Sequence, residues 1–186
     1  MKYFIPLIIF SFTHISCKNN DLLDTFDCNA SSHFTDTKKY HDVLKKFKVA
    51  IPKHWKTELY FDEYQSEIYS ADTTKQLSES YIIDLAWHQG ELVFDKDFEQ
   101  KILENLTQIE HLETVVSGYS KFVKHKVYYN LSVGKNTDIT YHYLQIYMQY
   151  EQDSYYIFNS KIYGNEFVNE RICASISLFQ GIKFTD

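Results

Sequence analysis

The sequence has few residues of the kind that build sharp loops: five glycines and two prolines among 186 residues. Phosphate-cradling glycine loops, serine-hydrolase elbows and the His-Glu-x-x-His metal motif are all missing. Their absence argues against P-loop nucleotide binding, serine hydrolysis and zincin-type metal chemistry. We therefore predict a protein that is not an enzyme and that carries no metal or cofactor.

Positive charge is also scarce, since 19 Lys and Arg face 25 Asp and Glu, for a formal net charge of −6. A surface of this sign repels phosphate backbones, so nucleic acid is a poor candidate partner. The hydrophobic share of 44% is enough to build a core. A chain of this length fits one domain.

Cysteine is rare, and the Cys-x-x-Cys spacing of thiolate metal sites is absent. The three cysteines are Cys17, Cys28 and Cys173. An exported compartment would permit Cys28 and Cys173 to pair, but geometry decides pairing. The sequence leaves open whether they form a disulfide or Cys173 is a small buried thiol.

The one long hydrophobic run, at the amino terminus, fits a cleaved leader better than an uncleaved transmembrane anchor, which is the weaker interpretation. The apolar stretch 4–12 is about half of the roughly 20 residues that a spanning helix needs, and Pro6 interrupts it. Residues 1–16 therefore indicate a secretory signal peptide. Residues 17–42, which are rich in Asn, Asp, Ser, Thr and Lys, are typical of a solvated tether, so the domain is predicted over 43–186.

The end of this leader, Ile15-Ser16-Cys17, resembles a lipobox, in which a small residue precedes the cysteine that receives diacylglycerol. His14 departs from the pattern, because an aliphatic residue is usual there. The resemblance implies a lipoprotein of the cell envelope, anchored to the membrane by acyl chains on Cys17 and facing the periplasm or the exterior.

What is abundant is aromatic: 16 Tyr and 14 Phe suit the pleated surface of a sheet. Alternation with period two predicts strands over 47–52, 59–71 with a turn near Asp62, 81–88, 127–133, 139–150 and 154–163. Helical spacing predicts a helix over 98–112 after an Asp95 cap, and another from an Asn165 cap to Gly181. Weaker helical spacing predicts a turn or two near Tyr40–Phe47. The pattern favours an α+β fold, with helices packed on a mostly antiparallel β-sheet.

The order of these features resembles PsbP-like and DcrB-like domains from Phe47 onward. The residues that carry the resemblance are Pro52 ending the first strand, Trp55, Gly118 before a three-strand meander, and Ile176-Ser177-Leu178-Phe179 in the closing helix. The resemblance implies an α/β/α sandwich. Members range from photosystem accessory proteins to bacterial lipoproteins and chaperones for secreted effectors, so the fold alone assigns no function.

Tyrosines are the strongest candidates for a binding face. Tyr141, Tyr143 and Tyr147 share one face of a predicted strand, and Tyr155 and Tyr163 share a face of the next. Such a row could line a groove for a peptide or a glycan, so the expected partner is an unknown envelope protein or a small ligand. The alternative is that a helix covers the row, as both faces of a sandwich need covering.

A second hypothesis is an enzyme or metal-binding protein whose site combines distant residues. His88, His142 and nearby carboxylates are its only plausible members. It requires the two histidines to converge, and placing them on opposite faces of the sheet would exclude it.

Overall fold

The computed structural model describes residues 21–28 and 34–185. The strands in this part of the chain are β1 (Thr37–His41), β2 (Phe47–Pro52), β3 (Lys56–Phe61), β4 (Gln65–Ala71), β5 (Tyr81–Gln89), β6 (Glu113–Phe122), β7 (His125–Asn136), β8 (Ile139–Glu151), β9 (Ser154–Tyr163) and β10 (Lys183–Phe184). The helices are α1 (Leu22–Thr25), α2 (Lys96–Glu104), which continues as a π-helical turn over Asn105–Ile109, and α3 (Val168–Gln180). A single 3-10 turn covers Leu77–Glu79.

Two antiparallel sheets organise the domain. The large sheet has the order β3-β4-β5-β9-β8-β7-β6, and the small one has the order β1-β2-β10. Each strand pair in the large sheet is antiparallel. The predicted α+β class, with helices packed on a mostly antiparallel sheet, is confirmed.

The inner face of the large sheet carries the main core. In β8, Leu144, Ile146 and Met148 are fully buried, and they belong to one cluster with Ile176 and Phe179 of α3. The small sheet and α1 contribute to the same cluster. Period-two alternation therefore sorts each central strand into an apolar inner side and a more polar outer side.

Helix α2 covers part of the outer face. Asp95 caps it as predicted, because its Oδ1 accepts the Phe98 N–H at 2.8 Å. The segment after the helix is pinned to the sheet by Leu106 and Leu112, both buried against Tyr141. A Cβ added at Gly134 would collide with the Leu112 side chain, so this glycine lets the segment lie directly on β7.

The tether predicted over 17–42 is corrected for its described residues. Leu22 and Phe26 are buried in the main core, and the Phe26 ring meets Tyr129 edge-on at 5.6 Å. The helical turns predicted near Tyr40–Phe47 are also wrong, since β1 pairs with β2 there. Long-range contacts hold both segments to the domain, and local sequence composition does not reveal such contacts.

Two further elements differ from the sequence prediction. Strand β6 was missed because most of it is exposed and a bulge between Thr114 and Val116 breaks its alternation, so the predicted meander has four strands. Helix α3 begins at Val168 and not directly after Asn165, because Phe167 takes a left-handed conformation with φ 51°. The Arg171 guanidinium holds this corner by donating to the carbonyls of Glu79, Ser80, Tyr163 and Glu166.

A disulfide joins Cys28 to Cys173, with 5.3 Å between the Cα atoms. It closes a loop of 145 positions and ties the segment after α1 to α3. This is one of the two alternatives that the sequence left open. Cross-linking residues so far apart removes much chain entropy from the unfolded state.

Among the described residues, no helix has the length and apolar character required to cross a bilayer.

Opening the Cys28–Cys173 bond is expected to lower the free energy of unfolding by about 2–5 kcal/mol, because the unfolded chain regains the entropy of the long loop. The measurement is urea unfolding of the unsubstituted protein with and without reductant, and of Cys28→Ala. The reduced protein and the variant should share a midpoint, and reductant should not shift the variant further. A reduced protein as stable as the oxidised one would contradict the expectation.

Candidate binding face

All five predicted tyrosines lie on the outer face of the large sheet. In β8, Tyr141, Tyr143 and Tyr147 alternate with the inward Leu144, Ile146 and Met148. In β9, Tyr155 and Tyr163 alternate with Tyr156, Phe158 and Ile162, which are in the main core. The register, Tyr141 opposite Tyr163 and Tyr147 opposite Ile157, brings both sets to the same side.

The α2 segment covers only part of this tyrosine row. Tyr141 and Tyr147 keep 9% and 7% of their surface exposed. Leu106 and Leu112 pack on Tyr141, and the Phe98 ring meets Tyr147 edge-on at 5.4 Å. Tyr143, Tyr155 and Tyr163 are half-buried. The five rings therefore do not form one continuous exposed groove.

A line of polar side chains crosses the outer face beside these tyrosines, and we call it the polar row. Its members are Asp84 in β5, Asn159 in β9, Gln145 in β8 and Asn130 in β7, each directly opposite the next. Directly opposed residues of an antiparallel pair have Cβ atoms about 4.5–5.5 Å apart, so the four side chains form one contiguous strip.

The end of the polar row toward β6 is satisfied within the protein. Asn130 is fully buried, and its amide donates to Thr114 Oγ1 at 3.3 Å. Ser132 Oγ donates to Asn130 Oδ1 at 2.5 Å. This closed network is what a buried polar group requires in a sheet that a helix covers.

Toward β5, the same row contains acceptors without donors. Asp84 Oδ1, Asn159 Oδ1 and Gln145 Oε1 are all buried, and none has a hydrogen-bond partner. Asn159 and Asp84 are joined by one hydrogen bond, in which Asn159 Nδ2 donates to Asp84 Oδ2 at 3.0 Å. A buried acceptor without a donor costs about 1–3 kcal/mol, so a strip of three attracts any group that brings donors.

Asp84 is a weaker acid than an ordinary aspartate. Burial, followed by the charge of the Glu67 carboxylate on β4, raises the pKa of Asp84 to about 7. The Asn159 amide and Lys161 act in the opposite direction and do not offset this. Glu67 is also a hydrogen-bond neighbour of Asp84, so a proton on Asp84 bridges the two carboxyl groups at acidic pH, whereas above about pH 7 the buried Asp84 oxygen has no donor.

Aromatic and cationic side chains rim this part of the face. The His88 ring stacks on Tyr155 at 5.0 Å, and burial lowers the pKa of His88. Lys161 Nζ lies 4.8 Å from the centre of the Tyr143 ring. Burial raises the pKa of Tyr143, so its hydroxyl stays neutral. We call the region of β4, β5, β9 and β8 around Asp84, Asn159 and Gln145 the open half of the outer face.

The two histidines of the enzyme or metal hypothesis do not meet. His88 lies opposite Tyr155 on the outer face, whereas His142 lies opposite Ile162 on the inner face. The sheet separates them, so they do not share a metal ion. Within residues 21–28 and 34–185, no group of three or more His, Cys, Asp or Glu side chains is arranged to hold one.

Sequence reasoning named the tyrosines but missed the polar row. A signal did exist: Asp84 is the charged residue inside the otherwise apolar run Ile82–Trp87, where solvent exposure does not explain it. Asn159 and Gln145 interrupt aromatic stretches in the same way. The sequence does not reveal that these positions face one another, because that depends on pairing between distant strands.

No protein-family model and no curated protein sequence matches the chain. Solved structures do. Cyanobacterial PsbP (CyanoP) of Synechocystis aligns with a TM-score of 0.56 at 8% identity, over 85% of this chain and 97% of CyanoP. A Pseudomonas aeruginosa protein of unknown function, PA94, aligns with a TM-score of 0.52 at 12% identity, over 81% of this chain and 98% of its own.

A Bacteroides thetaiotaomicron protein aligns with a TM-score of 0.54 at 10% identity, over 81% of this chain. The present chain spans about half of that protein, 49% of its length. At identities this low, the likenesses concern the fold. They show that the chain has the PsbP-like fold that its sequence features implied.

The Asp84→Asn variant is expected to change how stability depends on pH. The raised pKa means that the folded protein binds a proton more tightly than the unfolded chain between about pH 4 and about pH 7. Stability of the unsubstituted protein should therefore fall as the pH rises through this window. The substituted amide carries no charge and still offers an oxygen to Asn159, so the variant should be more stable at pH 8 by about 1–3 kcal/mol and equal near pH 4.

Urea unfolding at pH 4.5, 6 and 8 measures this difference. The matched control is Asp138→Asn in the exposed turn between β7 and β8, which should follow the unsubstituted protein at each pH. An Asp84→Asn variant that is less stable at pH 8 would contradict the raised pKa.

Proposed function

We propose that this PsbP-like chain is an exported accessory protein that is anchored by acylated Cys17 and binds a partner of the cell envelope through the open half of its outer face. The observation that carries the binding site is the strip of three buried acceptor oxygens on β5, β9 and β8. We propose a binding role and not catalysis, because the histidines of the enzyme hypothesis lie on opposite faces.

The chemistry of the open half favours a ligand that donates hydrogen bonds. Glu67 and, above about pH 7, Asp84 add negative charge beside the unpartnered oxygens, which suits an ammonium or guanidinium group. Half-buried Tyr143 and Tyr155 offer ring surface at its edges. A lysine- or arginine-bearing segment of an envelope protein, or a small amine, fits these features best.

The proposed anchor would hold this domain close to the membrane. Cys17 lies outside the described residues. The backbone of Asp21 already pairs with that of Lys121 in an isolated β-bridge, and Leu22 is fully buried. Four residue steps span at most about 14 Å. The domain would therefore rest near the bilayer and not at the end of a long tether.

Acylation is tested by intact mass and membrane fractionation of the full chain expressed in a bacterium. We expect a mature protein that starts at Cys17, carries acyl chains and sediments with membranes. Cys17→Ala should lose both the added mass and the sedimentation. A soluble, unmodified product from the unsubstituted chain would remove the anchor from the proposal.

The binding face is tested by a photoreactive phenylalanine analogue at position 155 in the same cells. We expect a discrete adduct from this site on the open half and none from position 39, an exposed residue of β1 on the small sheet. Asn159→Leu, which removes one acceptor, should weaken the adduct at position 155. Equal labelling from positions 155 and 39 would contradict the assignment of the binding site to the open half.

A further inference from the structure

One edge of the large sheet is unprotected. Strand β3 ends the sheet and pairs with β4 on one side only, so within the described chain the backbone groups along its other side meet no strand. The opposite edge, β6, is interrupted by a bulge between Thr114 and Val116. The backbone of Asp21 also pairs with Lys121 of β6 and so covers part of that edge. Bulges and covering segments are the usual protection of an edge strand, and in the described part of the chain β3 has neither.

The exposed side chains of β3 are large and apolar. Leu59, Tyr60 and Phe61 expose 42%, 47% and 61% of their surface, and Tyr64 in the following turn exposes 59%. The two charged residues of the strand neutralise each other, since Lys56 Nζ lies 2.7 Å from Glu58 Oε1. Nothing along the centre of this edge repels a second strand.

We propose that two copies of this chain pair antiparallel along β3, with Leu59 opposite the partner's Leu59 on a two-fold axis. An open strand edge is complemented by the backbone of another strand, and here the side chains select which one. In this register, Lys56 lies opposite the partner's Asp62, so both ends of the paired segment join opposite charges.

Neighbouring registers lack this charge match. An axis at Glu58 would set two like carboxylates against each other, which is destabilising in a strand pair. An axis at Tyr60 would set Glu58 opposite the partner's Asp62, again two like charges. The sequence of β3 is therefore self-complementary about Leu59.

Pairing would also shelter the apolar side chains. Leu59 and Phe61 lie on the side of the fully buried Ile68, so a second β3 would extend the inner face across the axis and cover both. A six-residue edge is smaller than the roughly 1,200–2,000 Å² that stable interfaces bury, so we expect a moderate affinity. Covalent trapping is the suitable readout for such a dimer.

The test is oxidative cross-linking of Leu59→Cys in the full chain, expressed and exported in a bacterium and analysed on a non-reducing gel. Opposed Cα atoms in an antiparallel pair are about 4.5–5.5 Å apart, within reach of a disulfide. We expect a covalent dimer from Leu59→Cys and none from Lys56→Cys or the unsubstituted chain. Cells that express one chain with Lys56→Cys and a second chain with Asp62→Cys should form a covalent dimer between the two chains.

A second substitution separates pairing from random collision. Phe61→Lys in the Leu59→Cys background places a charge in the paired edge and should reduce trapping at least fivefold, with an unchanged thermal unfolding curve. The proposal fails if Leu59→Cys gives no dimer, if Lys56→Cys cross-links equally well, or if the adduct has the mass of another protein. The last result would assign the edge to a different strand donor.

Discussion

The register of strands β5, β9, β8 and β7 is the constraint on which the rest of this structure depends. It places Leu85, Phe158, Ile146 and Tyr129 in one line on the inner face, where the small sheet, α1 and α3 bury them. The same register aligns the polar row on the outer face. A slip of one residue would exchange the two faces and bury the polar row in the main core, so burial of the apolar set enforces the alignment of the polar one.

The outer face is closed unevenly, and this unevenness defines the candidate site. Where the α2 segment packs, Asn130 has protein partners for its amide. Beyond it, Asp84, Asn159 and Gln145 retain buried oxygens without donors, although paired polar groups or apolar side chains would stabilise the fold more. These unpartnered oxygens are the physical argument for the ligand proposed above on this half of the sheet.

The start of the domain is held by contacts that join distant parts of the chain. Leu22 and Phe26 reach the main core, and Cys28 is bonded to Cys173 of the last helix. The segment thus covers the inner face that a free tether would leave open. It also pairs the Asp21 backbone with that of Lys121, so the described chain enters the domain beside the β6–β7 hairpin.

The sequence by itself determined the local elements. Period two in β8 and β9, the Asp95 cap and the apolar spacing of α3 depend on neighbouring residues, and each was predictable. Only the tertiary structure decided which tyrosines α2 covers, how the segment at 21–28 docks, and that Asp84 meets Asn159 and Glu67. Exposed β6, with its bulge, also escaped prediction. The reason is physical: alternation is a property of a few consecutive residues, whereas burial, the raised pKa of Asp84 and unpartnered oxygens arise from groups that are distant in the chain and adjacent only after folding.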